Sequence, residues 1–284
     1  MTSKDENQTN PSKYDMDHEK RGIALIINIS KYDEPNPFEL EEREWSIKDV
    51  ENLTKTLNHL EFNVKLNKRG KIEENLTKSE IEEHLKQIST EIDHKDFDCF
   101  LCVVMSHGNE DNIVTRDNKL ISFEEIMAPI KSCPSLFDKP KMFFFQACRG
   151  EKEMESRANS ANSTKSSRGA QPGDGSSNLQ SNIKKKTIFE NECDLLKYFS
   201  TLPNHLSFPY SNYEENGTIF IKSVCDAFNN AYNDLPKNMS LAQICTKINE
   251  SVSKSGQQIS EIVTNRMNKE IYFLPKDVSK YFNL

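Results

Sequence analysis

Three short segments of the sequence, residues 23–29, 99–105 and 142–145, are apolar at almost every position. A strand with water on one face alternates apolar and polar residues, so an uninterrupted apolar run predicts a strand that is covered on both faces. Such strands are typical of parallel sheets with helices on two sides. A fourth apolar run, residues 271–274, is also predicted to be a strand.

Amphipathic segments lie between these runs. Apolar residues recur there at three- and four-residue spacing, which predicts helices with one buried face. The predicted stripes are Ile47, Val50, Leu53, Leu57 and Leu60; Ile81, Leu85, Ile88 and Ile92; Phe220, Val224, Ala227, Phe228 and Ala231; and Leu241, Ile244, Ile248 and Val252. Thr77 with Glu80, and Ser122 with Glu125, have the spacing of a capping box at a helix start. Alternating strands and helices predict an α/β fold with helices on both faces of the sheet.

The chain divides into four parts by composition. Residues 1–13 form a polar tail, residues 14–150 and 188–284 alternate apolar and amphipathic segments, and residues 151–187 are rich in Ser, Asn, Gly and Lys. Residues 151–187 have too few apolar side chains to form a packed core, so we predict a disordered linker between two structured parts.

Charge and cysteine usage exclude several classes of protein. The net charge of -7 argues against a nucleic-acid-binding surface over the whole chain. No apolar stretch approaches the length of a membrane span, and the polar N-terminal residues do not resemble a signal peptide. Seven cysteines, an odd number, fit reduced thiols better than a disulfide framework. We therefore expect a cytoplasmic protein that binds neither nucleic acid nor membrane.

Two of the predicted strands end in residues that can do chemistry. Ser-His-Gly, residues 106–108, follows one strand, and Gln-Ala-Cys-Arg-Gly, residues 146–150, follows another. Ends of neighbouring parallel strands meet at one edge of a sheet, which would bring His107 and Cys148 together. An imidazole promotes formation of the nucleophilic thiolate and can then protonate a leaving amine. The backbone N–H groups of Gly108 and Cys148 would suit a developing oxyanion. The plainer interpretation is a buried, inert thiol and an unrelated histidine.

These residues resemble the caspase family. Gln-Ala-Cys-Arg-Gly with an upstream histidine is a caspase signature, and here His107 precedes Cys148 by 41 residues. The similarity extends over residues 14–275. It includes Tyr14-Asp-Met-Asp, Phe199-Ser-Thr-Leu-Pro, which resembles the small-subunit strand, and Lys269-Glu-Ile-Tyr-Phe, which resembles the final, dimerising strand.

The resemblance implies a caspase-like fold, a six-stranded, mostly parallel sheet that extends across a dimer through its last strand. It implies a short prodomain at residues 1–13, a large subunit at 14–150, an intersubunit linker at 151–187 and a small subunit at 188–284. The brief tail resembles that of effector caspases. Asp174, before Gly175, is the predicted cleavage site in the linker, because exposed segments are cut most readily.

The resemblance also implies an activity, a cysteine endopeptidase that cuts after aspartate with Cys148 and His107. Arg43 and Gln146 match the aspartate pocket of the family, and Ser207 and Phe208 match its substrate-binding segment. The resemblance also implies a second pocket arginine directly after Phe208, at position 209.

Two departures bear on that pocket. Position 209 is Pro209 where the second arginine is expected, and losing one charge-assisted contact costs about 1.5–3 kcal/mol. Trp45 replaces the usual glycine and is bulky enough to displace Arg43.

Two functions therefore stay open. Intact Cys148 and His107 favour an active protease, whereas Pro209 and Trp45 favour a weak or inactive homologue that binds, decoys or activates an active caspase. The implied partners are aspartate-containing protein substrates, a second caspase chain as homodimer or paralogue heterodimer, an upstream initiator caspase and inhibitor-of-apoptosis proteins. No cofactor is expected, and no metal site, because zinc needs four converging ligands.

Overall fold

A computed structural model describes residues 12–65, 72, 74–150, 192–233 and 239–276. Most of the predicted prodomain and the whole predicted linker, with Asp174, lie outside the described residues.

One six-stranded sheet forms the centre of the molecule. Its strands, in chain order, are β1 Lys20–Asn28, β2 Asn63–Val64, β3 Phe97–Met105, β6 Lys141–Gln146, β7 Leu195–Phe199 and β8 Glu261–Asn265. Their order across the sheet is β2-β1-β3-β6-β7-β8, and β8 alone of these pairs antiparallel to its neighbour. A separate two-stranded hairpin consists of β4 Asn112–Val114 and β5 Leu120–Ser122.

The three apolar runs are confirmed as β1, β3 and β6. Every residue of β3 and of β6 is buried. Successive residues of β1 pack into different clusters: Ala24 and Ile26 face one core, and Ile23 and Leu25 face the other. Two cores, one on each side of the sheet, explain why these strands have no polar face.

Helices cover both faces. They are α1 Ser46–His59, α2 Lys78–Glu91, α3 Phe123–Lys131, α4 Tyr213–Asn216, α5 Ile219–Asn233 and α6 Leu241–Lys254. The buried apolar residues of α1, α5 and α6 belong to the first core, and those of α2 and α3 to the second. The predicted α/β fold, mostly parallel with helices on both faces, is confirmed. Within the described ranges, no helix is long and apolar enough to cross a membrane.

The two predicted capping boxes start α2 and α3. Thr77 Oγ1 accepts from the backbone N–H of Glu80, and Glu80 Oε2 accepts from that of Thr77. Ser122 and Glu125 repeat the arrangement. Both predictions are confirmed. A capping box stabilises a helix start because its side chains accept hydrogen bonds from backbone N–H groups that have no partner within the helix.

Three details of the prediction are wrong. Residues 271–274 form no strand: Tyr272 makes only an isolated bridge with Ser240. The last strand is instead β8, which precedes the Lys269-Glu-Ile-Tyr-Phe segment. It lies at the edge of the sheet and pairs with β7. Phe199 ends β7, so Phe199-Ser-Thr-Leu-Pro follows the strand rather than forming it. Ile47 is 54% exposed, because it lies on the first turn of α1, beyond the core.

The chain segments on either side of residues 151–191 pack into this single sheet. β6 pairs with β7 over five residues, from Lys141 opposite Leu195 to Phe145 opposite Phe199. The Tyr14 hydroxyl donates to Asp194 Oδ1 at 2.6 Å. Strand pairing and a contact from the N-terminal segment thus hold the part before residue 151 against the part after 191.

Candidate active site

The pairing of β3 with β6 aligns the two candidate catalytic residues. Met105 is the register partner of Gln146, and the N–H of Ser106 donates to the Gln146 carbonyl at 3.2 Å. His107 and Cys148 therefore each lie two residues beyond a paired position. The loops touch: a β-carbon on Gly108 would lie 3.2 Å from the Cys148 carbonyl oxygen.

Gly108 is required by this close approach. The same β-carbon would lie only 2.6 Å from the carbonyl oxygen of Asn112, a distance that real β-carbons do not reach. Any larger residue would push the His107 loop away from Cys148. The structure thus brings together the three residues that the sequence predicts as catalytic.

Two groups that the sequence did not indicate orient His107. Its Nε2 lies 2.9 Å from the carbonyl oxygen of Glu41, which can only accept, so Nε2 carries the hydrogen and Nδ1 is free to take a proton. The backbone N–H of His107 donates to the hydroxyl of Tyr32, whose ring centroid lies 5.6 Å from that of the imidazole. Burial lowers the pKa of His107, the hydrogen bond to the Glu41 carbonyl acts in the opposite direction, and the charge of Arg43 lowers the pKa further. The net shift favours the neutral imidazole, which can act as a base.

Cys148 is half-buried against the segment that follows β7. Its Sγ accepts from the backbone N–H of Ser207 at 3.4 Å and lies 3.8 Å from the Ser207 carbonyl oxygen. Burial raises the pKa of the thiol above its ordinary value of 9, although the Ser207 N–H and the charge of Arg43 act in the opposite direction. The balance of these effects favours the neutral thiol over the thiolate.

Arg43 lies close enough to both candidate catalytic residues for its charge to act on them. Its side chain is buried, and Nη1 donates to the Ile29 carbonyl at 2.9 Å. Trp45 does not displace it: the indole turns toward Tyr213, with ring centroids 6.2 Å apart, and leaves the Arg43 side chain inside.

Gln146, Ser207 and Phe208 also meet beside Cys148. Gln146 Nε2 donates to Ser207 Oγ at 2.9 Å, and the N–H of Phe208 donates to Gln258 Oε1 at the same distance. Gln258 is buried, and no motif in the sequence pointed to it.

After Phe208 the chain turns back on itself, so that Pro209 lies opposite Thr218. The N–H of Tyr210 donates to the carbonyl of Gly217 at 3.0 Å. Proline has neither a cationic side chain nor a backbone N–H. Position 209 therefore offers a substrate no charge and no main-chain donor.

Arg149, directly after the candidate nucleophile, reaches the edge of the sheet. It is 9% exposed, forms an ion pair with Glu261 of β8, and lies 4.1 Å from the ring centroid of Phe199. Its backbone N–H donates to the His205 carbonyl at 2.9 Å. The side chain and the backbone of Arg149 thus both hold the turn that carries Cys148 in place.

Comparison with known proteins agrees with this geometry. The Caspase domain family model matches residues 21–272. Human Caspase-10 is 31% identical over 215 residues, which are 75% of this chain and 36% of that protein. Mouse Caspase-8 is 28% identical over 95% of this chain and 54% of its own length, and chicken Caspase-7 is 27% identical over 92% and 80%. The chain thus spans between a third and about half of the first two relatives. Since the family model covers nearly all of the chain, including both strands that lead into the site, the chain belongs to the caspase family.

Proposed function

We propose that this chain is a cysteine endopeptidase that cleaves peptide bonds after aspartate, with Cys148 as nucleophile and His107 as acid and base. The observation that carries the proposal is the register of Met105 with Gln146, from which His107 and Cys148 follow at equal distance on touching loops. A pair so placed suits nucleophilic catalysis, because base and thiol must lie within reach of one substrate carbonyl.

In the proposed first step, Nδ1 of His107 takes the thiol proton as Sγ of Cys148 attacks the carbonyl carbon. The hydrogen bond from Nε2 to the Glu41 carbonyl holds the ring in the tautomer that this step needs and stabilises the imidazolium. The backbone N–H groups of Gly108 and Cys148 are the proposed donors to the oxyanion.

The next steps restore the enzyme. The imidazolium gives its proton to the peptide nitrogen as the C–N bond breaks, which releases the amine and leaves a thioester on Cys148. Water then gives a proton to His107 and attacks the thioester, the C–S bond breaks, and the thiolate regains the proton. Peptide and water become a carboxylic acid and an amine, with no cofactor in the balance.

Substrate recognition is proposed to use Arg43 for the aspartate carboxylate. Its guanidinium is buried beside Cys148, and a cation in a site of low polarity attracts a carboxylate strongly. Gln146, Ser207 and Phe208 complete the proposed substrate-binding segment.

A second caspase chain is the proposed partner at β8. That strand is the last of the sheet, so one of its edges pairs with no described strand, and an open edge is a template for another chain. Cutting at Asp174 by an upstream caspase is the proposed route to two subunits.

Turnover of a fluorogenic peptide with aspartate before the bond tests the protease proposal. We expect wild-type protein to release the fluorophore and Cys148→Ala and His107→Ala proteins to release none above the buffer rate. Cys193→Ala, at another half-buried cysteine, is the matched control and should retain activity. Equal signals from wild type and Cys148→Ala would refute the protease and leave a binding protein.

A further inference from the structure

One carboxyl group of α1 holds the hairpin that continues the proposed substrate-binding segment. In this hairpin, residues 208–219, Pro209 bridges antiparallel to Thr218. Antiparallel pairing turns alternate N–H groups away from the neighbouring strand, and the N–H of Thr218 donates instead to Asp49 Oδ1 at 2.8 Å. A β-carbon on Gly217 would lie 2.3 Å from the same oxygen, so only glycine lets the carboxyl group approach this closely. Asp49 therefore fixes the position of the hairpin on α1.

The second oxygen of this carboxyl group is unpaired. Asp49 is fully buried, and its Oδ2 has no hydrogen-bond partner among the described residues. A carboxylate so poorly solvated is unfavourable, and burial raises the pKa of Asp49 to about 7, although the hydrogen bond from Thr218 and the charge of Arg43 act in the opposite direction. The proton on this group is therefore exchanged near neutral pH.

Arg43 is the cation that this carboxyl group meets. The guanidinium is buried, and its charge acts on Asp49 as well as on Cys148 and His107. Position 209 contributes no second cation. Charges attract strongly where the surroundings are of low polarity, so an ionised Asp49 and a substrate carboxylate would compete for the same guanidinium.

We infer that Asp49 is a positioning residue whose protonation state sets how strongly Arg43 binds a substrate aspartate. The neutral acid holds the hairpin through Thr218 and leaves the charge of Arg43 to the substrate. The ionised form holds the hairpin in the same way but neutralises part of that charge. Peptides should therefore bind more tightly below neutral pH than above it, and binding should take up a proton. The inference rests on the proposed function, since it assumes that the substrate carboxylate binds at Arg43.

The other groups that face Asp49 do not titrate in this range. Arg43 faces it from the segment before α1, and Cys225 faces it from α5. Arginine stays charged, and burial raises the pKa of Cys225 to about 12, so neither group changes its charge near neutral pH. His107 also feels the charge of Arg43, but its titration is common to all variants of Asp49 and cancels when they are compared.

The pH dependence of peptide binding to Cys148→Ala protein tests the inference. A fluorescent peptide with aspartate before the bond is titrated from pH 6 to pH 8.5, and its anisotropy is followed. We expect its Kd to rise at least about fivefold over this range. With Asp49→Asn added, Kd should stay within about twofold of the value at pH 6, because the amide cannot ionise. The same rise in both proteins would overturn the inference.

Two further variants separate charge from structure. Asp49→Asn keeps an oxygen that accepts from the N–H of Thr218, whereas Asp49→Ala removes it, so only the alanine variant should bind weakly at every pH. Glu51→Gln is the matched control, an exposed carboxylate of α1 that pairs with Lys48, and it should keep the pH dependence of the parent protein. A flat profile in Glu51→Gln would assign the effect to surface charge and refute the role of Asp49.

Calorimetry in the same Cys148→Ala background distinguishes failure of the inference from failure of the proposed function. Binding at pH 7 should give different heats in phosphate and in Tris, because the two buffers lose a proton with different enthalpies, and Asp49→Asn should reduce the difference. Equal heats, with normal cleavage by wild-type protein, would refute the inference and leave the protease. No binding of the peptide at any pH would overturn both the inference and Arg43 as the proposed recognition residue.

Discussion

The guanidinium of Arg149 forms an ion pair with the carboxylate of Glu261, which links the residue after Cys148 to the first residue of the edge strand β8. Arg149 is 9% exposed and also stacks over Phe199, so its charge has little access to water. The turn that positions the thiol is therefore coupled to the strand at which we propose that a second chain pairs.

Removing that partner charge should destabilise the fold. We expect Glu261→Gln to lower the free energy of unfolding by about 1–2 kcal/mol in urea titrations, because a buried guanidinium loses its counter-charge. Glu250→Gln, which breaks an exposed pair with Lys247, should cost less than about 0.5 kcal/mol. Equal losses in the two variants would show that the Arg149 pair is no stronger than a surface pair.

The raised pKa of Cys148 predicts slow alkylation at neutral pH. Burial holds the thiol in its neutral form, and only the thiolate reacts, so the rate with iodoacetamide should keep rising with pH beyond 9. Peptide mapping by mass spectrometry reports the rate at this residue alone. A rate that is already constant at pH 7 would mean that a thiolate is present in the resting site.

Asp49 should make stability fall as pH rises. Its carboxyl group on α1 is fully buried and accepts from the N–H of Thr218, and burial raises its pKa from 3.8 to about 7. The folded protein therefore holds this proton more tightly than the unfolded chain, and the resulting stabilisation is complete below pH 4 and lost as pH rises toward 7.

Asp49→Asn isolates this effect, because the amide cannot ionise. We expect the variant to gain stability relative to wild type between pH 5 and pH 8, as measured by urea unfolding at each pH. Parallel curves over that range would show that Asp49 titrates with the same pKa in the folded and unfolded chains.

Processing should depend on Asp174. We expect an active effector or initiator caspase to convert the chain into fragments of residues 1–174 and 175–284, and to leave Asp174→Ala intact. Gel electrophoresis with intact-mass measurement identifies the products. Asp138→Ala, at the exposed turn before β6, is the control and should be cut like wild type; normal processing of Asp174→Ala would exclude this site.

Dimerisation through β8 predicts sensitivity to charge on that strand. Thr264 is exposed on β8, and a lysine there would oppose edge-to-edge pairing, since charged edge residues disfavour it. We expect sedimentation velocity to give a dimer for wild type and a larger monomer fraction for Thr264→Lys. Thr90→Lys on α2 should leave the dimer unchanged, and a fully dimeric Thr264→Lys protein would locate the interface elsewhere.

The features that sequence reasoning predicted are those with local signals. Continuous apolar runs identify β1, β3 and β6 because strands covered on both faces admit few polar residues. Capping boxes identify helix starts through side chain and backbone only three residues apart. Cys148 and His107 stand out because each lies two residues after the end of such a strand.

The features that it missed depend on tertiary contacts. The Glu41 carbonyl that orients His107 is a backbone atom and has no signature in the sequence. β8, with one neighbour and partly exposed side chains, lacks a continuous apolar run, whereas residues 271–274 have one and form no strand. Ile271 and Phe273 are buried in the first core, where Phe273 packs against Phe228 of α5, and an apolar run alone does not distinguish such packing from strand pairing.

The thiol of Cys148 and the N–H of Ser207 that contacts it come from opposite sides of residues 151–191. Once the chain is cut there, nucleophile and contacting amide would belong to two polypeptides held together by β6–β7 pairing, by further backbone hydrogen bonds such as that from Arg149 to His205, and by side-chain contacts. A defect in either half would then be open to complementation: an intact small half, co-expressed with a full-length chain damaged beyond residue 191, would supply the missing wall of the site in trans.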